Sequence, residues 1–394
     1  MVFLTPVRTD EGMRALIPAL AAALDGSGPA ILPYAADATP PPLPGSLGPT
    51  DLHAADLAMV VATSGSTGAP KLVALPAAAI HASVAATDVA MGGPGQWLLA
   101  IPPHHIGGLL VIARSLLADS ALTVMDRSTG FTPAAFAEAV ERMPRDDHPA
   151  YVSLVPTQVA RLLADPRGTH ALTRFDAVLV GGAGTRPSLR AAAADAGVHL
   201  VATYGMTETT GGCVYDGIAL TDTEIHIDND RHVVLGGPTI ASGYVGDPGL
   251  TADHFHTDAD GVRWFRTDDL GAFDDQGRLT ISGRADDLVN TGGVKIAPGP
   301  VEDALVRFVP GVRDAVVVGV PDPTWGQLVG AAVTLTEGSP VPSLADVRAR
   351  LRDALPAAAL PRLVRVVDDL PWRGPGKPDR AAVRELLAHE RTDS

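Results

Sequence analysis

Cysteine is almost absent from this chain, since Cys213 is the only one among 394 residues. A single cysteine excludes an internal disulfide framework and a metal site built from several thiolates. This usage is typical of a reducing compartment. The N-terminal residues also lack the basic start and apolar core of a signal peptide. We therefore expect a cytoplasmic protein.

Positive charge and long apolar runs are also scarce. The formal net charge is −15, which argues against binding to nucleic acid or to an anionic membrane surface. Apolar stretches such as Leu109–Ala113 are interrupted by Arg, Pro or His well short of the length that crosses a bilayer. We expect no nucleic-acid partner and no transmembrane segment. The cations that hold any anionic substrate must then be local and few.

Aromatic residues make up only 4% of the chain, whereas it contains 41 glycines and 34 prolines. Apolar residues account for 46% and charged residues for 19%, which is ordinary for a globular protein. The length is sufficient for a large core and more than one domain. This composition indicates a loop-rich α/β enzyme.

Short apolar runs alternate with alanine-rich helical patterns through the first half of the chain. A helix is predicted over residues 133–143, with Thr132 as its N-cap and Pro133 in its first turn. This alternation favours a parallel sheet covered by helices. The predicted buried strands are residues 96–101, 121–125, 151–155 and 177–180.

The pattern changes after Glu224, where helical stretches give way to short strands with Asp/Gly turns as far as residue 282. We interpret residues 224–282 as a small β subdomain. Beyond Asp286 the pattern is mixed again, with helices predicted over 301–308 and 344–355 and a strand over 312–320. Ser343 is the predicted N-cap of the second of these helices.

One short loop after an apolar run concentrates glycines and hydroxyls. Residues 63–71 read Thr-Ser-Gly-Ser-Thr-Gly-Ala-Pro-Lys and follow the run of residues 57–61. Backbone N–H groups, hydroxyls and an ammonium in one small volume suit a polyphosphate. The common nucleotide P-loop is excluded, because its Gly-Lys-Ser/Thr is missing.

Four further strings follow in chain order. They are Tyr-Gly-Met-Thr-Glu-Thr at 204–209, Trp-Phe-Arg-Thr-Asp-Asp-Leu-Gly at 264–271, Gly-Arg-Ala-Asp-Asp at 283–287 and Gly-Pro-Gly-Lys at 374–377. Together with the loop, they resemble the motifs of the adenylate-forming superfamily, which includes acyl-CoA synthetases, adenylation domains and luciferases. Asp268 stands where that family usually has glycine.

The resemblance implies a fold and a reaction. The fold is α/β, with a large N-terminal domain of helix-covered β-sheets (residues 1–285) and a small mobile α+β C-terminal domain (residues 286–394). The reaction joins a carboxylate to ATP as an acyl-adenylate and then transfers the acyl group to a thiol. Its substrates are ATP, a small-molecule acid and CoA, with Mg²⁺ as cofactor. The resemblance does not decide whether the protein forms a homodimer.

The resemblance also implies roles for individual residues. Lys377 would bridge the substrate carboxylate and the α-phosphate, Glu208 would carry Mg²⁺, and Asp286 would be the hinge. His105 lies between a predicted strand and an apolar helix, where it would be catalytic and part of the acid pocket. The remaining pocket residues would be Ser153, Thr157 and Gly182. ATP or AMP would contact Thr63, Ser64, Gly65, Ser66, Thr67, Gly68, Lys71, Tyr204, Gly205, Thr207, Asp269 and Arg284.

The strings around His105, Ser153 and Cys213 resemble the o-succinylbenzoate–CoA ligases of menaquinone biosynthesis, in their compact actinobacterial form. The alternative within the same class is an enzyme for another aryl or small carboxylic acid, including one that loads a separate carrier protein. A non-enzymatic alternative is a degenerate nucleotide sensor. Intact Lys377, Glu208, Asp269 and Arg284 argue against this last hypothesis.

Overall fold

The computed structural model describes residues 2–6, 10–35, 38–41, 56–63, 70–128, 130–372 and 378–389. These residues form two compact units. The first unit comprises Met1–His226 and Val234–Arg266, and the second comprises Ile227–Val233 and Thr267–Ser394.

The helices of the described residues are α1 (Asp10–Leu24), α2 (Ala77–Met91), α3 (Ile106–Leu117), α4 (Pro133–Glu141), α5 (Pro156–Leu163), α6 (Pro166–Leu172), α7 (Pro187–Asp195), α8 (Pro248–His254), α9 (Pro298–Phe308), α10 (Leu344–Leu351) and α11 (Arg380–His389). The strands are β1 (Val2–Pro6), β2 (Ala30–Tyr34), β3 (Leu57–Thr63), β4 (Lys71–Pro76), β5 (Gln96–Leu99), β6 (Leu122–Val124), β7 (Ala150–Leu154), β8 (Ala177–Val180), β9 (Leu200–Met206), β10 (Gly211–Tyr215), β11 (Ile218–Ala219), β12 (Glu224–Ile227), β13 (His232–Gly236), β14 (Gly243–Tyr244), β15 (Phe255–Thr257), β16 (Arg263–Phe273), β17 (Leu279–Arg284), β18 (Val289–Thr291), β19 (Val294–Ile296), β20 (Val312–Asp322), β21 (Gly326–Leu335) and β22 (Leu363–Val366).

A seven-stranded sheet in the order β11-β10-β9-β8-β7-β5-β6 dominates the first unit. Strands β9, β8, β7, β5 and β6 run parallel to their neighbours, as the alternation of strands and helices predicts. Apolar side chains of β5, β7 and β8 join those of α4, α5 and α6 in one buried cluster. The four strands predicted in this region are confirmed to within two residues at each end. The helix predicted from residue 133 ends at Glu141, and the Thr132 side chain caps it by accepting from Ala135 N.

A second sheet of the first unit has the order β1-β2-β3-β4-β14. Strands β3 and β4 form an antiparallel hairpin in which Thr63 pairs with Lys71. Because most residues of both strands are buried, the hairpin is anchored in the core on either side of its turn. Strand β14 pairs with β4 and places Tyr244 opposite Val73.

The region predicted to be purely β contains a short helix, so that prediction was wrong in one respect. Strands β12, β13, β15, β16 and β17 belong to one sheet, but α8 lies between β14 and β15. The Asp247 side chain caps α8 by accepting from Leu250 N, and Pro248 occupies its first turn. Seven residues are too few to show a helical period, so the capping pair was the only local signal.

The second unit contains a sheet in the order β19-β18-β21-β20, with β22 pairing with β21. Helices α9 and α10 bury apolar side chains against this sheet, and α11 buries Val383 and Leu387 with Val316 and Val318 of β20. The predicted helix from residue 301 is confirmed, although it begins at Pro298. Helix α10 begins after the predicted cap Ser343 but ends at Leu351, four residues earlier than expected.

The division into these two units does not test the domain boundary predicted near residue 286, which stays a prediction. No helix in the described part of the chain combines the length and the apolar character needed to cross a bilayer.

Candidate active site

The predicted acid-pocket residues lie at or just after the ends of neighbouring strands of the parallel sheet. His105 comes after β5, Thr157 after β7 and Gly182 after β8, while Ser153 lies near the end of β7. In open α/β sheets, ligands bind outside the carboxyl ends of such strands. The fold therefore gathers the predicted acid pocket at one sheet edge, to which β9 adds the Tyr-Gly-Met-Thr-Glu-Thr string.

The glycines at this edge keep the strand ends close together. An ideal Cβ on Gly205 would clash with the carbonyl oxygen of Gly211 on the neighbouring strand β10. Gly182 has φ of +80°, a left-handed conformation that favours glycine, and lies beside Val155. A side chain at Gly205 would push β9 and β10 apart.

His105 is the N-cap residue of α3, and its ring lies 4.2 Å from that of His104. Gly108 allows the first turn of α3 to lie against the preceding loop, because a Cβ there would approach the Pro102 carbonyl oxygen to 2.5 Å. His105 is half-buried and Ser153 is buried. A polar group between an apolar helix and the sheet edge suits an acid that is part aromatic and part carboxylate.

The turn that carries Glu208 is held on several sides. Residues 207–210 are all buried, and Thr209 Oγ1 accepts from Met206 N and donates to the Gly211 carbonyl oxygen. Thr210, which has φ of +50°, donates from its hydroxyl to the Thr239 carbonyl oxygen over 2.6 Å. These bonds offset the cost of a left-handed threonine and fix the backbone of the turn from which the Glu208 side chain extends.

Tyr244 is a site residue that the sequence analysis missed. Its hydroxyl donates to Glu208 Oε1 over 3.0 Å, in a place where both side chains are buried. The ammonium of Lys71 lies 5.2 Å from the centre of the same tyrosine ring. One aromatic side chain thus joins the carboxylate predicted to carry Mg²⁺ to the lysine that ends the predicted phosphate loop. The only signal in the sequence was an aromatic residue beside Gly243 in a chain with five tyrosines.

The predicted phosphate loop is the turn of the β3–β4 hairpin. Its first and last residues are Thr63 and Lys71, and the Thr63 hydroxyl donates to the Lys71 carbonyl oxygen over 3.5 Å. Ser64, Gly65, Ser66, Thr67 and Gly68 lie outside the described residues. The described base of the hairpin nevertheless brings Lys71 to Tyr244, and through it to Glu208.

Glu208 fits the predicted magnesium role by its chemistry. Mg²⁺ is usually held by one or two carboxylates together with substrate phosphates, and Glu208 is a buried carboxylate that accepts from the Tyr244 hydroxyl. The described residues hold no cluster of three or more His, Cys, Asp or Glu side chains that could bind a metal without such phosphates.

In the second unit, one guanidinium gathers three carboxylates. Arg284 pairs with Asp286 through Nε and Oδ1 at 2.9 Å, with Asp268 at 3.1 Å and with Asp269 at 3.8 Å. Desolvation lowers the pKa of Arg284, but the hydrogen bond and charge of Asp286 and the charges of Asp269 and Asp268 raise it above its usual value. Asp269, the predicted ribose ligand, is the least exposed of the three carboxylates, with 15% of its side chain accessible.

This arrangement explains the aspartate that replaces the usual glycine. Asp268 lies inside β16 and accepts from Arg284, and its carbonyl oxygen accepts from Ala285 N over 2.9 Å. The predicted hinge residue Asp286 is bound to the same guanidinium as the predicted ribose ligand. A backbone rotation at Asp286 must therefore either break the ion pair between Asp286 and Arg284 or move Arg284 together with Asp286.

Lys377 lies outside the described residues, but the base of its loop is described. Trp372 and Pro378 form an antiparallel bridge, and Asp379 N donates to the Pro371 carbonyl oxygen over 2.8 Å. Cys213 is 1% exposed, and burial raises the pKa of its thiol to about 12. Cys213 is therefore a buried packing residue.

The chain is similar to known proteins over most of its length. The family model described as AMP-binding enzyme matches residues 15–244, and the model described as AMP-binding enzyme C-terminal domain matches residues 300–377. The chain is 44% identical to a probable 2-succinylbenzoate–CoA ligase of Mycobacterium tuberculosis over 378 residues, which is 95% of this chain and 96% of the relative. It is 32% identical to a sulfoacetate–CoA ligase of Cupriavidus necator, covering 95% of this chain and 74% of the relative.

A similar solved structure is the o-succinylbenzoate CoA synthetase of Bacillus subtilis in complex with the acyl-adenylate intermediate OSB-AMP. It superposes with a TM-score of 0.71 at 26% identity, and the match covers 83% of this chain and 69% of that structure. The α/β fold expected from the sequence is confirmed. The two family models and the full-length similarity to the mycobacterial relative show that this chain belongs to the AMP-binding enzyme family.

Proposed function

We propose that this chain is an ATP-dependent 2-succinylbenzoate–CoA ligase, which forms an acyl-adenylate and then the CoA thioester in cytoplasmic menaquinone biosynthesis. The observation that carries the adenylation step is the Lys71–Tyr244–Glu208 arrangement beside the carboxyl edge of the parallel sheet. The cation, the anchored carboxylate and the residues of the predicted acid pocket all belong to the first unit. The substrate assignment is supported by the relative that is 44% identical over nearly both full lengths.

The first half-reaction needs two anions held together more than it needs an acid and a base. A carboxylate has no workable leaving group until AMP is attached to it. We propose that the β3–β4 turn holds the phosphates through its N–H groups and hydroxyls, and that Lys71 adds a positive charge at the base of the turn. Thr207 would donate to the α-phosphate, and Asp269 would accept from both ribose hydroxyls. Mg²⁺ held by Glu208 would neutralise phosphate charge when bound.

Lys377 would complete the step by bridging the substrate carboxylate and the α-phosphate. An ammonium at that place stabilises the charge that develops during attack on phosphorus. His105 and Ser153 would line the acid pocket, where the benzene ring needs an apolar wall and the spare carboxylate needs donors.

Substrate choice can be tested by acid-dependent pyrophosphate release with and without CoA. We expect kcat/KM for 2-succinylbenzoate to exceed the values for benzoate, sulfoacetate, a medium-chain fatty acid and an aryl amino acid. A site built for a second polar group leaves its own donors unpaired with an analogue that lacks it, which can cost about 10⁴-fold in specificity. If any other acid is preferred, the pathway assignment is wrong and only the adenylate-forming class is kept.

A shallow depression on the surface of the second unit favours CoA over a carrier protein as the thiol acceptor. Its volume is about 360 Å³, and its lining includes Trp325, Arg348 and Arg362. Trp325 is 41% exposed, and the Arg362 guanidinium lies 4.3 Å from the centre of its ring. An exposed aromatic edge with two arginines suits an adenine nucleotide that carries phosphates. CoA has such a nucleotide, whereas the pantetheine arm of a carrier protein lacks one.

This part of the proposal is tested by Trp325→Ala, with Phe308→Ala as a matched control, because Phe308 is an aromatic residue of the same unit with 39% exposure. Loss of an aromatic contact to a base costs about 1–3 kcal/mol, so we expect the KM for CoA to rise about 5- to 160-fold. Pantetheine as acceptor should be insensitive to the change. An equal effect on CoA and pantetheine, or the same effect from Phe308→Ala, would refute the proposal that the CoA nucleotide binds at Trp325.

A further inference from the structure

Arg380 is the first residue of α11 and makes an unusual set of contacts within the second unit. Its Nε lies 3.2 Å from Asp287 Oδ2, and its Nη1 donates to Glu302 Oε1 and to the Val317 carbonyl oxygen, each over 2.6 Å. Glu302 Oε1 also accepts from Val317 N over 2.8 Å. One guanidinium thus joins α11, α9, β20 and the segment that follows β17.

These contacts are shielded from solvent. The side chains of Arg380, Glu302 and Asp287 are 20%, 14% and 28% exposed. Desolvation raises the pKa of Asp287, and Arg380 opposes that rise. Charge-assisted bonds that are partly withdrawn from water are directional and costly to break. Arg380 is therefore a geometric constraint and not a loose surface contact.

Arg380 contacts two segments that matter for the proposed mechanism, one beside the predicted hinge and one at the base of the Lys377 loop. Asp287 is next to the predicted hinge residue Asp286, whose own carboxylate pairs with Arg284. At the other end, Arg380 N donates to the Pro378 carbonyl oxygen, and Pro378 bridges Trp372 at the base of the loop that contains Lys377. The base of the lysine loop and the segment beside the hinge are thus connected through one side chain.

We propose that Arg380 is a positioning residue for the adenylation half-reaction, which fixes the base of the Lys377 loop relative to the hinge segment. The inference rests on the proposed function, because it assumes that Lys377 serves adenylation and not thioester formation. A displacement of about 1 Å in a catalytic group can cost about 100-fold in rate. Loss of Arg380 should therefore act mainly on the half-reaction that uses Lys377.

The test compares two half-reactions in single turnover: pyrophosphate release from acid and ATP, and thioester formation from preformed acyl-adenylate. We expect Arg380→Met to slow the first by about 100-fold and the second by less than about threefold. Arg380→Lys should recover part of the loss, since an ammonium can pair with one carboxylate but cannot span both. Arg384→Met is the matched control, because Arg384 also joins α11 to β20, through the Gly319 carbonyl oxygen, and does not contact Asp287 or Glu302.

A selective loss in Arg380→Met that is absent in Arg384→Met supports the proposal. Equal losses in both half-reactions, no loss in either, or the same selective loss in Arg384→Met overturns it. If Arg380→Met does not fold, Glu302→Gln takes its place. The amide can still accept from Val317 N but removes one of the two anionic partners, so we expect a selective loss of about tenfold. A non-selective result with Glu302→Gln would equally overturn the proposal.

A second readout does not depend on turnover. Amide hydrogen exchange of residues 379–383 should be faster in Arg380→Met than in the parent chain, and unchanged exchange overturns the proposal. The two proposals can also fail separately. If 2-succinylbenzoate is not the substrate, the half-reactions are compared with whichever acid the panel identifies. If no acid releases pyrophosphate, the proposed function fails while the exchange experiment still tests the constraint.

Discussion

Replacing Tyr244 by phenylalanine would remove one hydroxyl and little else. The ring that contacts Phe255 at 5.4 Å and lies near the Lys71 ammonium is kept. The lost bond is the 3.0 Å contact to Glu208 Oε1, between groups that are 4% and 9% exposed. Hydrogen bonds to charged groups contribute about 1.5–3 kcal/mol. We expect the free energy of unfolding in magnesium-free buffer to fall by about that amount.

The same change should weaken the magnesium dependence of adenylation. Glu208 would keep its backbone anchor, in which its carbonyl oxygen accepts from Ala241 N, but it would lose the donor that orients its side chain. If the loss of this orientation weakens Mg²⁺ binding by about 1.4 kcal/mol, the Mg²⁺ concentration that gives the half-maximal rate rises about tenfold. Urea unfolding measures the first effect, and initial pyrophosphate release against Mg²⁺ at fixed ATP measures the second.

Tyr215→Phe is the matched control. The Tyr215 hydroxyl is also buried and forms a 3.1 Å hydrogen bond, but with the neutral hydroxyl of Thr87. Such a bond contributes about 0.5–1.5 kcal/mol, so this variant should lose less stability and keep its magnesium dependence. If both variants respond alike in both measurements, the role assigned to Tyr244 is refuted.

Three further predictions concern Lys377, Asp286 and Cys213. Lys377→Ala should abolish acyl-adenylate formation while thioester formation from preformed adenylate continues, and equal loss of both in single-turnover assays would contradict the role of Lys377. Asp286→Pro should retain adenylation but fail in CoA transfer, because proline fixes φ; normal thioester turnover would remove the hinge assignment. Burial raises the pKa of the Cys213 thiol from 9.0 to about 12, so this group stabilises the fold fully below pH 9 and loses that contribution as pH rises through 12. At pH 8, iodoacetamide should therefore modify the native chain about a thousandfold more slowly than the urea-unfolded chain, as followed by mass spectrometry, and comparable rates would contradict its burial.

The elements that the sequence predicted well are those whose signal is local. Strands β5, β7 and β8 are apolar except for Gln96 and Ser153, because both faces of a helix-covered sheet are buried. The caps of α4 and α10 are single hydroxyls that accept from an amide three residues later, so a short window contains the whole interaction. Chain order then places the candidate pocket, since parallel strands must end on the same side.

The contacts that the sequence could not predict join residues far apart in the chain. Glu208 meets Tyr244 across 36 positions, and Arg380 meets Glu302 across 78. Arg114 is 4% exposed although arginine usually lies at the surface, because its guanidinium lies over the Trp97 ring at 4.9 Å and donates to Thr87 Oγ1. Hydrophobic periodicity in the sequence does not predict such pairs, because each pair depends on how helices and strands pack against one another.

The choice between lysine and arginine links the composition to the proposed chemistry. Only three of the 30 basic residues are lysines: Lys71 beside Tyr244, Lys295 on β19 and Lys377. The described cations that bridge several carboxylates, Arg284 and Arg380, are arginines, and a planar fork suits that task. A compact ammonium can approach one phosphate oxygen or one carboxylate from several directions and can leave it when the partner changes. Two of the three lysines fall in motifs where the proposed reaction needs that property, which a fixed guanidinium would not provide.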